Sequence, residues 1–158
     1  MSVNEKLRDI IRYILIKYPY PFDLNKTRLT KLVYLIDWET AQRQKCVSSG
    51  IKWYFDNYGP YVQDVMKEAV SDEHIQINEG LSNYGGPKYT FQIKELDLQD
   101  LKNLDKHERE IIDDVIESTK DLSFNNFINY IYNTLPVIKT PQYEFLDLIK
   151  IASESVNH

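Results

Sequence analysis

Side chains that could hold a metal ion or act as a nucleophile are few and scattered along this sequence. The three histidines, His74, His107 and His158, lie far apart, and no Cys or His pair has the spacing of a zinc site. Cys46 is the only cysteine, and its predicted place near the end of a helix disfavours the thiolate form. The sequence therefore predicts neither a metal site nor a cysteine nucleophile.

Acidic residues are paired in two places, but neither pair has a geometry suited to acid–base catalysis. Asp37 and Glu39 are two positions apart, and Asp113 and Asp114 are adjacent. A helix points the members of such pairs in different directions. Because charged side chains are usually exposed, we interpret both pairs as solvated. No catalytic constellation is predicted, and an enzyme is not the favoured class.

The glycine-containing stretch YGGPKY differs from a phosphate-binding loop. Such loops connect a buried strand to a helix, whereas residues 84–89 fall inside a predicted hairpin. We therefore expect no nucleotide and no other cofactor.

Two helices are predicted in the first third of the chain. A stripe of apolar residues at helical spacing runs from Leu7 to Leu15, and the prolines of YPYPF end that helix after about Lys17. Asn25 is a good cap for a second helix. This helix is apolar on nearly all sides, so it should be the central one.

A short strand is predicted over GIKWYFDN because the stretch is rich in aromatic and other β-favouring residues. Gly59 permits a sharp turn, and Pro60 suits the first position of a helix. We therefore expect a strand-to-helix corner at Gly59 and Pro60. The free amides at that helix start could hold an anion, although every helix start offers the same.

The second half of the chain is predicted to contain a β-hairpin followed by helices. HIQIN and KYTFQIK alternate between apolar and polar residues, and a loop full of turn residues separates them. Asp105 and Glu108 form a capping box, Ser123 caps the next helix, and Thr140–Pro141 is predicted to open the last one. A short helical turn over residues 98–104 is expected before them.

These elements predict a mainly α (α+β) fold. The expected architecture is a compact helical domain around a central helix, with a small antiparallel β-hairpin or a three-stranded sheet at one side. The chain has 158 residues and shows neither a repeat nor a long linker. Residues 1–158 are therefore interpreted as a single domain.

Charge and hydropathy narrow the classes of partner. The net charge is −5 and the isoelectric point is near 5.2. Nucleic-acid binding relies on clustered Lys and Arg, so a protein partner is favoured, although Lys26, Arg28 and Lys31 form one small basic candidate. The sequence shows no signal peptide and no apolar run as long as a membrane span, and a cytoplasmic protein is expected.

The unusual feature of the composition is its content of aromatic residues. The sequence contains 12 Tyr, 6 Phe and 2 Trp. Tyrosine is enriched at protein interfaces because it combines a large apolar area with a polar tip. Trp38, Trp53, Phe55 and Phe91 are expected in the core, whereas the tyrosines near turns are better interface candidates: Tyr54, Tyr58, Tyr61 and Tyr84.

Two stretches of the sequence carry a distinctive set of residues. They are Leu29, Lys31, Leu32 and Tyr34 in TRLTKLVYLIDWE, and Trp53, Tyr58, Gly59, Pro60 and Val65 in GIKWYFDNYGPYVQDV. Together these stretches resemble a known family, the Panacea antitoxin domain of SocA-like and phage-associated GepA-like proteins. The later LSFNNFINYIYNTLP resembles the family's C-terminal part. The similarity is specific over about residues 25–70 and looser over 120–150.

The resemblance implies an antitoxin that neutralises a toxin encoded beside it by direct binding. The SocA-like branch also implies delivery of the toxin to a protease, and a homodimer is left open. We expect Trp53, Tyr54, Tyr58, Tyr61 and Lys31 to border the partner-binding surface, with Gly59 and Pro60 shaping its bend. The identity of the toxin does not follow from the resemblance.

The main alternative is a transcription regulator, because helices followed by a hairpin also describe a winged helix. Arg28 and Lys31 would then contact phosphates. A subunit of a phage particle or another assembly is a further alternative.

Overall fold

The computed structural model describes residues 4–81 and 85–155 of the chain, so Tyr84 and His158 lie outside it. Within those ranges there are seven α-helices: α1 (Glu5–Lys17), α2 (Lys26–Gln44), α3 (Asp64–Ser71), α4 (Lys106–Thr119), α5 (Phe124–Tyr132), α6 (Leu135–Lys139) and α7 (Leu148–Ser155). Four strands are present: β1 (Tyr54–Asp56), β2 (Gly59–Tyr61), β3 (Ile75–Leu81) and β4 (Pro87–Ile93). Short 3-10 turns cover Pro21–Asp23 and Leu98–Asp100. The predicted fold class, α+β with mainly helix, is confirmed.

The second helix is the centre of the fold, as its apolar composition predicted. Buried residues occupy 13 of its 19 positions. It packs against α1, α3, α4, α5, α7 and β2. A helix surrounded in this way needs apolar residues on all sides, which explains why α2 lacks a polar face.

The predicted helix starts are confirmed where a side chain caps them. The side chain of Asn25 accepts a hydrogen bond from the amide of Arg28 at the start of α2. Asp105 and Glu108 bond reciprocally to each other's backbone amides at the start of α4. Ser123 caps α5 in the same manner. Each cap satisfies an amide that has no partner within its helix.

The predicted hairpin between residues 75 and 93 is also confirmed. Ile75 pairs with Ile93 and Ile77 with Phe91, so the alternating apolar residues share one face. The strands extend further than expected, to Leu81 and Pro87. This hairpin contacts α1, α3 and the turn at Pro21–Asp23.

The predicted strand-to-helix corner at Gly59 and Pro60 is wrong. Both residues lie in β2, which pairs with β1 in a tight hairpin, and α3 begins only at Asp64. Tyr61 ends that strand, so the anion site considered at a helix start after Gly59 is not formed. Gly59 has a φ of 97°, which few residues other than glycine adopt.

Pro60 fits in this strand because its missing N–H is not needed there. Pro60 pairs with Phe55. The backbone of Phe55 bonds in the other direction, donating to the carbonyl of Glu144 and accepting from the amide of Tyr143. Proline is tolerated at strand positions that donate no ladder hydrogen bond.

The last helix begins later than predicted. Thr140 and Pro141 do not open it, because α7 starts at Leu148 and the preceding segment runs antiparallel to β1. A further short helix, α6, was not predicted, although Pro136 near its start is a favourable residue. A single three-stranded sheet is not found in the described ranges, since β1–β2 and β3–β4 form separate sheets.

Candidate partner-binding surface

A buried carboxylate fixes the β1–β2 hairpin to the central helix. Asp37 is fully buried, and its Oδ2 accepts hydrogen bonds from Ser49 Oγ and, at 2.7 Å, from Trp53 Nε1. The amide of Ser49 donates to Oδ1 at 3.3 Å. Burial raises the pKa of Asp37 to about 6, and the three hydrogen bonds oppose that rise. The sequence interpretation of Asp37 as a solvated charge is therefore wrong.

Trp53 belongs to this support and not to the surface. Its side chain is 1% exposed, and its ring meets that of Tyr34 edge to face with centroids 5.6 Å apart. Its indole N–H is already used by Asp37. We predicted Trp53 both as a core residue and as a border of the partner surface. The structure places it in the core, where it holds the start of β1.

The residues that alternate with the core positions of the hairpin face outward. Tyr54 lies between buried Trp53 and Phe55 and pairs across the hairpin with Tyr61. Paired residues of antiparallel strands project to the same side. Tyr58, at the tip, is 80% exposed. The tyrosines predicted from the sequence are thus brought together by one hairpin.

Two more aromatic residues join this side from a distant part of the chain. Phe145 forms a bridge pair with Tyr54, and their rings lie edge to face with centroids 5.2 Å apart. Tyr143 donates a hydrogen bond from its hydroxyl to Asn57 Oδ1 at 2.6 Å. Phe145 is 66% exposed and Tyr143 55%. We call the resulting surface the aromatic face; its members are Tyr54, Tyr58, Tyr61, Tyr143 and Phe145.

Sequence reasoning missed Tyr143 and Phe145 because it assigned their segment to a helix. The alternation of polar and apolar residues in QYEF was the available signal, although residues 142–145 are all exposed in the structure and only the next residue, Leu146, is buried. Three backbone hydrogen bonds join this segment to residues 53–55. The segment thus behaves as an edge strand.

Lys31 lies beneath the hairpin and is only 2% exposed. Its ammonium donates a hydrogen bond to the carbonyl of Pro60 at 3.2 Å. Burial lowers the pKa of Lys31 to about 8, partly offset by the charge of Asp56. It lines a cavity of about 320 Å³ between the start of α2 and the hairpin. We call this space the Lys31 cavity; its walls include Thr30, Asp56, Tyr58 and Tyr61.

The basic candidate for phosphate binding is largely used inside the fold. Arg28 is 2% exposed, donates to Tyr18 Oη and to the carbonyl of Leu122, and stacks over the ring of Phe127. Lys31 is equally buried. These two cations therefore form no exposed stripe for a nucleic-acid backbone.

Other kinds of site find little support in the described part of the chain. Among residues 4–81 and 85–155, no three His, Cys, Asp or Glu residues are grouped so that they could hold a metal ion. Cys46 is exposed. Across the same ranges, no helix combines the length and apolarity needed to cross a membrane.

The comparisons with known proteins bear on the region that contains this surface. The family model described as "Antitoxin SocA-like, Panacea domain" matches residues 29–136. Searches of curated proteins and of solved structures found no match. The matched region includes Lys31, Asp37 and the whole β1–β2 hairpin, and it covers more than half of the chain. The chain belongs to the SocA-like antitoxin family with a Panacea domain.

Proposed function

We propose that this protein is an antitoxin that neutralises a toxin encoded beside it by binding the toxin directly with the aromatic face. The observation that carries the proposal is one surface of five aromatic residues on the hairpin and the segment beside it, three of them exposed and Tyr54 and Tyr61 partly exposed, within a family of antitoxins. Large exposed aromatic groups are the typical anchors of protein interfaces. The protein acts by binding and not by catalysis.

The aromatic face is held in place before any partner arrives. Trp53 and Ser49 anchor the hairpin to Asp37, and backbone hydrogen bonds anchor residues 143–146 to β1. A rigid surface loses little conformational entropy on binding. Two side-chain contacts, Tyr54 with Phe145 and Tyr143 with Asn57, restrict the rings themselves. The exposed rings can therefore serve as preformed anchors.

The expected partner is a folded toxin in the cytoplasm. An interface of standard size buries about 800 Å² on each partner, and a few central residues supply most of its free energy. Tyr58 and Phe145 are the most exposed members of the aromatic face. They are the expected anchors. Delivery of the toxin to a protease would be a second step that starts from the same complex.

Coexpression provides the first test. The neighbouring reading frame is expressed alone and together with this protein, and growth is measured. We expect loss of growth with the neighbour alone and recovery when both are present, with a complex that survives purification. A neighbour that stays toxic beside abundant, folded protein would refute the function.

A double substitution, Tyr58→Ala with Phe145→Ala, tests the location of the interface. Both side chains are mostly exposed, so folding should persist while toxin affinity falls roughly 100-fold. Phe22→Ala is a matched control, because Phe22 is 79% exposed but lies in the turn at Pro21–Asp23, outside the aromatic face. Equal affinity of the double variant and the control would remove this face from the interface. The toxin's half-life with and without the antitoxin separates degradation from simple blocking.

A further inference from the structure

We propose that the Lys31 cavity is a receptor for a carboxylate group of the partner polypeptide. This inference rests on the proposed function for the identity of the partner but on the cavity itself for the ligand chemistry. It adds a charged, specific contact to the apolar contacts of the aromatic face.

The first argument is the unused hydrogen-bonding capacity of Lys31. A lysine ammonium has three N–H donors, and Lys31 uses one of them on the carbonyl of Pro60. No carboxylate in the described ranges forms an ion pair with it, although Asp56 is near enough to affect its charge. A cation that is 2% exposed and has spare donors gains free energy from an additional acceptor.

The second argument is a neighbouring hydroxyl group that also lacks a partner. Thr30, which is 1% exposed, lines the same cavity. Its Oγ1 is buried and has no hydrogen-bond partner among the residues that the structure describes. Buried hydroxyl groups are normally satisfied, so an orphan beside a cavity indicates a missing binding partner.

The charge of the walls selects a carboxylate over a phosphate. Lys26 and Lys31 contribute two positive charges to the lining, and Asp56 contributes one negative charge, which leaves a net charge of +1. The start of α2 adds the positive end of its dipole. One positive charge matches a carboxylate, whereas Asp56 and the overall charge of −5 oppose a phosphate with two negative charges.

The position of the cavity connects it to the aromatic face. Tyr58 and Tyr61 belong both to the walls of the cavity and to the aromatic face. A polypeptide docked on that face can therefore place an acidic side chain or its C-terminal carboxylate in the cavity. The two sources share one chemistry and are separated by the experiment.

Titration calorimetry measures the toxin affinity of wild type and of Lys31→Met. Each protein is titrated with a set of toxin variants. In most of them a single Asp or Glu is replaced by Asn or Gln, and in one the C-terminus is amidated. We expect Lys31→Met to weaken binding roughly 30-fold or more, as loss of a buried charge pair does. One toxin variant should weaken binding to wild type by a similar factor and leave binding to Lys31→Met unchanged. That variant identifies the carboxylate as a side chain or as the C-terminus.

If every toxin variant has the same effect on both proteins, the inference is overturned while the proposed function stands. Asp56→Asn covers the case in which Lys31→Met fails to fold, because it leaves the Lys31–Pro60 bond intact and removes the competing negative charge. At pH 6, where Lys31 keeps its proton without the charge of Asp56 that raises its pKa, this variant should tighten toxin binding by about threefold, and unchanged or weaker binding contradicts the inference.

A probe without the toxin separates this inference from the proposed function. Sodium acetate is titrated into the ¹⁵N-labelled protein against sodium chloride at equal ionic strength. Acetate should shift the amide signals of residues 26–31 and 56–61, and chloride should not. Signal shifts with acetate, in a protein that binds no toxin, would support carboxylate binding in the cavity and refute the antitoxin role. Shifts that are equal for both salts would refute the cavity.

Discussion

Replacing Asp37 with asparagine tests the buried network that holds the hairpin on α2. The substitution keeps the shape of the side chain and one oxygen for the bonds from Ser49 Oγ and Trp53 Nε1. It removes the charge, and the new NH₂ group faces the donating amide of Ser49. The variant therefore changes both a hydrogen bond and the ability of residue 37 to titrate.

The pH dependence of the free energy of unfolding isolates the titration. Burial raises the pKa of Asp37 from an ordinary 3.8 to about 6, so the folded state binds a proton more tightly than the unfolded state. The resulting stabilisation is complete below pH 3.8 and disappears as the pH rises through 6. A shift of that size corresponds to about 3 kcal/mol in full, of which about 2 kcal/mol develops between pH 8 and pH 4.5.

Urea unfolding of wild type and Asp37→Asn at pH 8 and at pH 4.5 measures this contribution of Asp37 to the free energy of unfolding. Other titrating groups cancel in the difference between the two proteins. We expect wild type to gain about 2 kcal/mol relative to Asp37→Asn when the pH falls from 8 to 4.5. Glu39→Gln is the matched control, because Glu39 is on the same helix and its carboxylate is partly exposed. A difference that is independent of pH, or that grows as the pH rises, would refute the reasoning about this carboxylate.

Three other predictions concern the hairpin, the core and the cavity. Gly59→Ala should cost about 1–2 kcal/mol in thermal unfolding, because its φ of 97° is one that a residue with a Cβ rarely adopts; the added Cβ would itself be in ordinary contact, 3.6 Å, with the ring of Tyr132. Gly80→Ala, which has no positive φ and meets open space, should be nearly neutral. Arg12→Ala should cost about 3 kcal/mol in urea unfolding, because Arg12 donates two hydrogen bonds to buried Asp72. Burial raises the pKa of that carboxyl, and the hydrogen bonds and charge of Arg12, with the amide of His74, outweigh the rise and hold the pKa below its ordinary value. Wild type should also lose more stability than Arg12→Ala as the pH falls through the depressed pKa, and equal acid sensitivity would contradict this. Toxin affinity should fall between pH 7 and pH 9 as Lys31 loses its proton near its pKa of about 8. The other ionisable residues that line the cavity are Lys26, Asp56, Tyr58 and Tyr61. The same fall in Lys31→Met would assign the effect elsewhere.

Local signals in the sequence were sufficient for α1, α2, α4 and α5 and for the longer hairpin. The caps at Asn25, Asp105 and Ser123 depend on residues close in sequence, and so does the alternation of β3 and β4. The β1–β2 hairpin was missed because Gly59–Pro60 suits both a helix start and a strand with an unused amide. The hairpin is also paired along its other edge with residues 143–146, more than 80 positions away. No local pattern contains that information.

The candidate site, like the fold, could be predicted from the sequence only in part. The tyrosines of the hairpin could be selected from their residue type and their position near turns. The roles of Asp37 and Lys31 could not, because a charged residue on a helix is usually exposed and only tertiary packing buries these two. Trp53 was named for its place among other aromatic residues, but the bond to Asp37 turns it inward.

The aromatic face is built from two parts that differ in how they depend on side chains. The hairpin lies inside the matched residues 29–136 and depends on specific side chains, since Asp37, Ser49 and Trp53 must all be present to anchor it. Residues 143–146 lie outside the match and are held to β1 by backbone hydrogen bonds. Backbone bonds persist when exposed side chains change, so positions 143 and 145 can vary at little cost in stability. The contacts offered to a toxin can therefore change while the anchored hairpin stays the same.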